Sequence, residues 1–147
     1  MVIMLINNVL LSIIFILSLY CAVCDIKKRT IKNNNIVVIA LLCSFFAITN
    51  NEGNIYFIQA ITIIIIGILL TLSGVLGAAD SKLLAAYSLS IEPDILPLTL
   101  LSIPIIGGLQ IIIMFLIAKF ENKAPFKNGI PYAIPITFCG FISLFLS

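Results

Sequence analysis

Long apolar runs broken by short polar connections set the reading of this chain. Six segments emerge, Val2 to Val23, Ile36 to Ile48, Ile55 to Leu76, Lys82 to Ile91, Ile95 to Ala118 and Ile130 to Leu146. A bilayer crossing takes roughly 20 apolar residues, fewer where flanking polar side chains snorkel or the bilayer thins. The pattern therefore predicts an all-α polytopic membrane bundle of about six transmembrane helices. The second and fourth segments are short and are expected to extend into their polar flanks or to lie partly inside the bundle. Asn33, Asn34 and Asn35, and Asn50 with Asn51, read as polar loop punctuation. Pro93, Pro97 and Pro104 read as a turn and bends in a bundle-facing helix, where neighbouring helices satisfy the freed carbonyls.

Charge gives the orientation. With all six segments crossing, Lys27, Lys28, Arg29, Lys32, Lys82, Lys119, Lys123 and Lys127 fall on one side, and Glu52, Glu92 and Asp94 on the other. The basic side is cytoplasmic by the positive-inside rule, so both termini are expected outside. A re-entrant fourth segment would move Lys119, Lys123 and Lys127 across the membrane, so the charges favour a true crossing. The first run lacks a basic lead and a small-residue cleavage site, and it reads as a retained helix rather than a signal peptide.

Composition narrows the chemistry. The chain is 62% hydrophobic with a mean hydropathy of +1.27, beyond what a soluble core of 147 residues needs. No linker divides it, so residues 1–147 are expected to form a single membrane-embedded domain. A formal net charge of +2 is too small to suggest nucleic acid as a partner. Histidine is absent, which removes imidazole as base, relay or metal ligand and excludes the familiar zinc protease signatures. Cys21 and Cys24 form a C-x-x-C, but a zinc site would need further thiolate or imidazole ligands, and Cys43 and Cys139 fall in other apolar runs. No metal or other cofactor is expected.

Among only eight basic and six acidic residues, Asp25 and Asp80 stand beside apolar runs at the openings of two connections on the same side. Carboxylates next to lipid are costly and mark function. Each also has a plainer use. Asp25 precedes Lys27, Lys28 and Arg29 and would serve as an interfacial charge, and Asp80 would cap a helix beginning near Ser81. Held close together, two carboxyl groups do not readily both ionise, so one keeps a proton while the other accepts one. Such a pair can drive water onto an amide without metal or covalent intermediate. Gly77, Ala78 and Ala79 make a small-residue approach to Asp80 through which an extended peptide could come close to the backbone. Lys82 would point away from Asp80 on a regular helix and snorkel to the interface. The basic cluster reads as topology determinants and contacts for anionic headgroups.

Three motifs in order carry a resemblance. Asp25-Ile-Lys-Lys-Arg-Thr-Ile31-Lys32-Asn33 resembles an Asp, basic stretch and Ile-Pro-Asn, and Gly77-Ala78-Ala79-Asp80-Ser81-Lys82-Leu-Leu resembles Gly-x-Gly-Asp-x-Lys-Leu. Pro131-Tyr132-Ala-Ile-Pro135, followed by Gly140, resembles a proline-and-small-residue lead-in to a final helix. Together they are similar to the type IV prepilin peptidase family of membrane aspartyl proteases, particularly the small members from tight-adherence pilus systems. Ala79 and Lys32 depart from the family's second Gly and its Pro. The resemblance implies an aspartic endopeptidase in the cytoplasmic membrane. Asp25 and Asp80 would be catalytic, and the partner a prepilin-like precursor whose short basic leader is removed at the cytoplasmic face. It also implies that the separate methyltransferase region of larger members is missing. An ion- or proton-coupled transporter with carboxylates near the midplane, and a noncatalytic secretion scaffold, are the alternatives from other classes.

Overall fold

The computed structural model describes residues 1–50, 53–121 and 129–147. Six α-helices run in order, α1 (Val2–Lys28), α2 (Asn33–Asn50), α3 (Phe57–Leu72), α4 (Ala78–Ser88), α5 (Leu96–Phe120) and α6 (Ala133–Leu146). Each apolar segment of the sequence has become one helix, and the described residues contain no strand. Three helices, α1, α2 and α5, are long and apolar enough to cross a membrane, and α3 and α6 are shorter apolar helices. Glu52, Lys123 and Lys127, which entered the charge count, and Asn51 lie outside the described residues.

Several boundaries differ from the sequence expectation, for local reasons. Helix α1 continues past Val23 to Lys28, carrying Asp25 inside its last turns rather than into a connection. Lys27 and Lys28 there complement the negative end of the helix dipole, and Arg29 ends the helix in the left-handed region at φ 53°. Asn33, Asn34 and Asn35 form the first turn of α2 instead of a loop. Helix α3 stops at Leu72, where the chain reverses through Gly74 at φ 72°, a conformation glycine adopts without strain. Pro97 stands in the first turn of α5, where its missing N–H costs nothing, but Pro104 faces outward instead of into the bundle.

The packing follows from which helices touch. Helix α1 lies against α2 and α6, and α4 lies against the same two, so these four close a ring with α1 and α4 on one diagonal. Helix α3 packs on the outside of α4 and α5 on the outside of α6. Ile14, Ile39, Phe46, Leu83, Ile136, Leu144 and Tyr87 fill the ring. The distribution is that of a membrane protein. Large apolar side chains such as Leu5, Ile16, Ile65, Leu101 and Ile112 are exposed, while Ser18, Ser88, Ser90, Thr99, Thr137 and Ser143 are buried. These inward hydroxyls find partners that lipid does not offer, as in the Thr99–Ser143 bond of 2.6 Å between α5 and α6.

Two contacts identify the ends of the ring. Asn7 donates to Asn50 at 3.1 Å, pairing the start of α1 with the end of α2. At the opposite end, Ala133 at the start of α6 reaches Asp25 near the end of α1. Helix α4 is short, with 11 residues, so its terminal carbonyls would fall inside an apolar layer. Gln59 of α3 supplies the donors, its amide reaching Ser88 O at 3.2 Å and Ile91 O at 2.8 Å. Gln59→Leu removes both bonds and strands these acceptors, so it is expected to cost about 1–3 kcal/mol and to lower the melting temperature of the detergent-solubilised protein. An unchanged melting temperature would show that another group caps α4.

Candidate active site

Asp25 is buried on the inward face of α1, in line with Leu10, Ile14, Ser18 and Cys21. Its Oδ2 accepts a hydrogen bond of 3.2 Å from the backbone N–H of Ala133, the first residue of α6. The positive end of the α6 dipole therefore faces this carboxylate. The segment before α6 is gripped from two sides. Arg29 donates through Nη2 to Gly129 O at 2.7 Å, and Gln110 of α5 donates through Nε2 to Pro131 O at 3.0 Å. Lys27 and Lys28 remain exposed. Arg29 thus differs from the topology-setting cations with which it was grouped, because it fastens the α6 lead-in to α1.

Asp80 stands in the first turn of α4, and Gly77 is the N-cap. The expectation that Asp80 caps a helix beginning near Ser81 is therefore corrected. The helix begins one turn earlier, and Asp80 lies at the third helical position, where a carboxylate reaches back to the N-cap amide. Burial, and after it the charge of Asp25, push its carboxyl up to about 6 against the hydrogen bond from the Gly77 amide, which acts in the opposite direction. Asp25 and Asp80 thus lie within electrostatic reach of one another, at the same end of the ring, on helices that face each other across it. A Cβ on Gly77 would come to 2.7 Å from Asp80 Oδ2. The space beside this carboxylate exists because residue 77 has no side chain.

The remaining motif residues divide into neighbours and supports. Ala79 is partly buried against the core, so its methyl is accommodated by packing. Ala78 is exposed at the start of α4. Ile31 is buried in the α1–α2 connection. Asn33 accepts a hydrogen bond of 3.3 Å from Lys82 Nζ, which ties the start of α2 to α4. Lys82 points away from the acids, as its spacing from Asp80 required. It lines a mostly apolar cleft of about 480 Å3 between α2, α3 and α4, with Ala85, Ala86 and Leu89 from its own helix. That cleft lies on the opposite face of α4 from Asp80. Pro131 is buried next to the acid end, and Pro135 is buried in the first turn of α6.

All four cysteines are free, and among the described residues no three His, Cys, Asp or Glu side chains converge as metal ligands. Sequence reasoning missed the Ala133 amide, since a backbone donor carries no side-chain signature. It also missed a hydrogen bond deeper in the ring between Ser18 of α1 and Tyr87 of α4. Its signal was in the spacing. Ser18 lies seven positions before Asp25, and Tyr87 seven after Asp80.

Comparison with known proteins adds one finding. The model of the type IV leader peptidase family matches residues 12–113, more than half of the chain. The match spans both acids and ends before the proline motif of α6. No curated protein and no solved structure matches.

Proposed function

The chain belongs to the type IV leader peptidase family, and from that membership we propose that it is an aspartic endopeptidase that removes the short basic leader of prepilin-like precursors at the cytoplasmic face of the membrane. Residues 1–147 would form one peptidase domain, with both termini outside and the acids at the inner boundary. The orientation rests on Lys27, Lys28, Lys32, Lys82 and Lys119, which the order of the helices puts at the acid end. The observation that carries the reading is the placement of Asp25 and Asp80 at one end of the ring on opposing helices, with the carboxyl of Asp80 pushed up by burial and by the charge of Asp25.

Two carboxyl groups in this state sharing one proton suffice for amide hydrolysis. The ionised member draws a proton from water as the water oxygen bonds to the scissile carbonyl carbon. The protonated member gives its proton to the carbonyl oxygen, and a neutral tetrahedral diol results. On collapse one diol hydroxyl gives its proton to the carboxylate as the carbonyl re-forms, the C–N bond breaks, and the amine nitrogen takes its proton from the carboxyl that had accepted it from water, so the pair again shares one proton. The leader leaves with a new carboxyl terminus and the mature chain with a new amine. A precursor with a basic leader and an apolar helix fits, because the helix would lie in lipid while the leader stays at the inner boundary. The acids are at helix ends, whereas the transporter reading expects them near the midplane.

Co-expression with a candidate precursor tests the function, with leader removal seen as a mobility shift and the new amino terminus sequenced. A precursor left intact across the prepilin-like class would refute the substrate reading. The pH profile is a second prediction. A raised carboxyl keeps its proton to higher pH and loses it as pH climbs through about 6, so cleavage by the singly protonated pair is expected to fall above that point. It should fall again in acid, when the pair takes up a second proton. Initial rates in proteoliposomes measure this, and a profile flat through about 6 would exclude a shared proton.

A further inference from the structure

Helices α1 and α4 lie on the diagonal of the ring, and the hydrogen bond between Ser18 and Tyr87 joins them across it. We infer that Tyr87 and Ser18 are positioning residues whose hydrogen bond sets the register of α4 against α1 and thereby brings Asp80 level with Asp25; this rests on the proposed role of the two acids.

The geometry is simple. Ser18 pairs with Tyr87, and the first turns of α4 lie beside the start of α2, where Lys82 reaches Asn33, at the end of the ring to which α1 carries Asp25, so sequence number rises toward that end along α1 while it falls along α4. The two helices are therefore antiparallel. Seven residues are two helical turns, about 10.5 Å along the axis, and the same interval separates tie from acid on both helices. One tie two turns inside the ring consequently levels both acids at its end. A slip by one residue on either helix would offset the carboxyls by about 1.5 Å and rotate one of them by about 100°.

Tyr87 is built for this reach. Its side chain is fully buried, and its ring lies on the bare backbone of α6 at Gly140, where a Cβ would come within 2.7 Å of Tyr87 Cγ. The hydroxyl thereby extends across the ring's centre to α1. Ser18 Oγ also bonds the carbonyl of Ile14 at 2.6 Å, and that carbonyl can only accept. Ser18 therefore donates to Ile14 and accepts from Tyr87, whose hydroxyl is the donor of the tie. Removing that hydroxyl leaves Ser18 with its Ile14 partner, so Tyr87→Phe breaks the tie with ring packing intact and no donor stranded.

The test combines kinetics with a register readout that needs no activity. Wild type, Tyr87→Phe, Ser18→Thr and Asp80→Asn are assayed on one precursor. In parallel, Asp25→Cys with Asp80→Cys, in a chain whose four native cysteines are replaced, is bridged with a short bifunctional thiol reagent with and without Tyr87→Phe. The expected result is a fall in kcat of about tenfold for Tyr87→Phe with KM and melting temperature unchanged. Ser18→Thr, which keeps the hydroxyl, should retain activity, and cross-linking should drop in the Phe background. Undiminished kcat in Tyr87→Phe overturns the proposal, as does a loss that follows melting temperature while cross-linking stays constant. Full activity of Asp80→Asn would instead sink the role given to the acids, and the cross-linking yield would still decide the register.

Discussion

Asn at position 25 or at position 80 is expected to abolish leader removal, by roughly 10^3-fold or more, while leaving the protein folded in the membrane. Asparagine matches aspartate in shape, so each variant isolates the proton chemistry from packing. At position 25 the amide oxygen can still accept from the Ala133 N–H, which now holds Asp25 Oδ2 at 3.2 Å. At position 80 the neutral side chain suits its surroundings, since burial and the charge of Asp25 both disfavour the ionised form there. Asp80→Asn should therefore be at least as stable as wild type, and the loss of processing cannot be ascribed to misfolding. Mobility of the co-expressed precursor, read beside protein abundance and melting temperature, checks this. Normal processing by either variant would remove the acid pair from the mechanism.

Gly77→Ala is expected to be the next most damaging change, lowering kcat by about 10^2-fold with little change in stability. The backbone of Gly77, at φ −74° and ψ 141°, suits any residue, so the added methyl brings no conformational strain. What it meets is the catalytic candidate itself, with Asp80 Oδ2 at 2.7 Å and Cγ at 3.5 Å. The carboxylate is the part free to move. Turning away, it would lose its alignment with Asp25, and misplacement of a reacting group by about 1 Å is enough for a loss of this size. Single-turnover rates of the purified variant, with melting temperature measured alongside, decide the point. Wild-type turnover would mean that the carboxylate is not held where the chemistry needs it. Ala79, by contrast, packs against the core, so its methyl is not expected to press on the carboxylate as one at position 77 would.

Helix number and order were legible in the apolar runs, because burial of long apolar stretches in lipid is decided segment by segment. Boundaries were less so. Lys27 and Lys28 look like a loop by polarity, yet they stabilise the last turn of α1. Asn33 to Asn35 look like a turn and instead begin α2. Asp80 looked like a cap and proved to lie inside the first turn, since Gly77 ends the preceding turn and starts the helix. Both acids were found from their cost in an apolar setting. Their backbone partners were not, since every residue but proline carries the same N–H.

From the sequence alone came six helices, an all-α membrane protein, two acids at one end and a basic cluster beside them, because hydrophobicity and charge act locally along the chain. Only the tertiary structure decided that α1 and α4 oppose each other across a ring, that the first amide of α6 meets Asp25, and that Tyr87 spans the centre to Ser18. Lipid is as apolar as leucine, so hydrophobicity drives helices into the bilayer without choosing their neighbours. That choice falls to shape and to buried hydrogen bonds, such as the bare backbone at Gly140 that receives the Tyr87 ring and the hydroxyls that pair between helices, Ser18 with Tyr87 and Thr99 with Ser143.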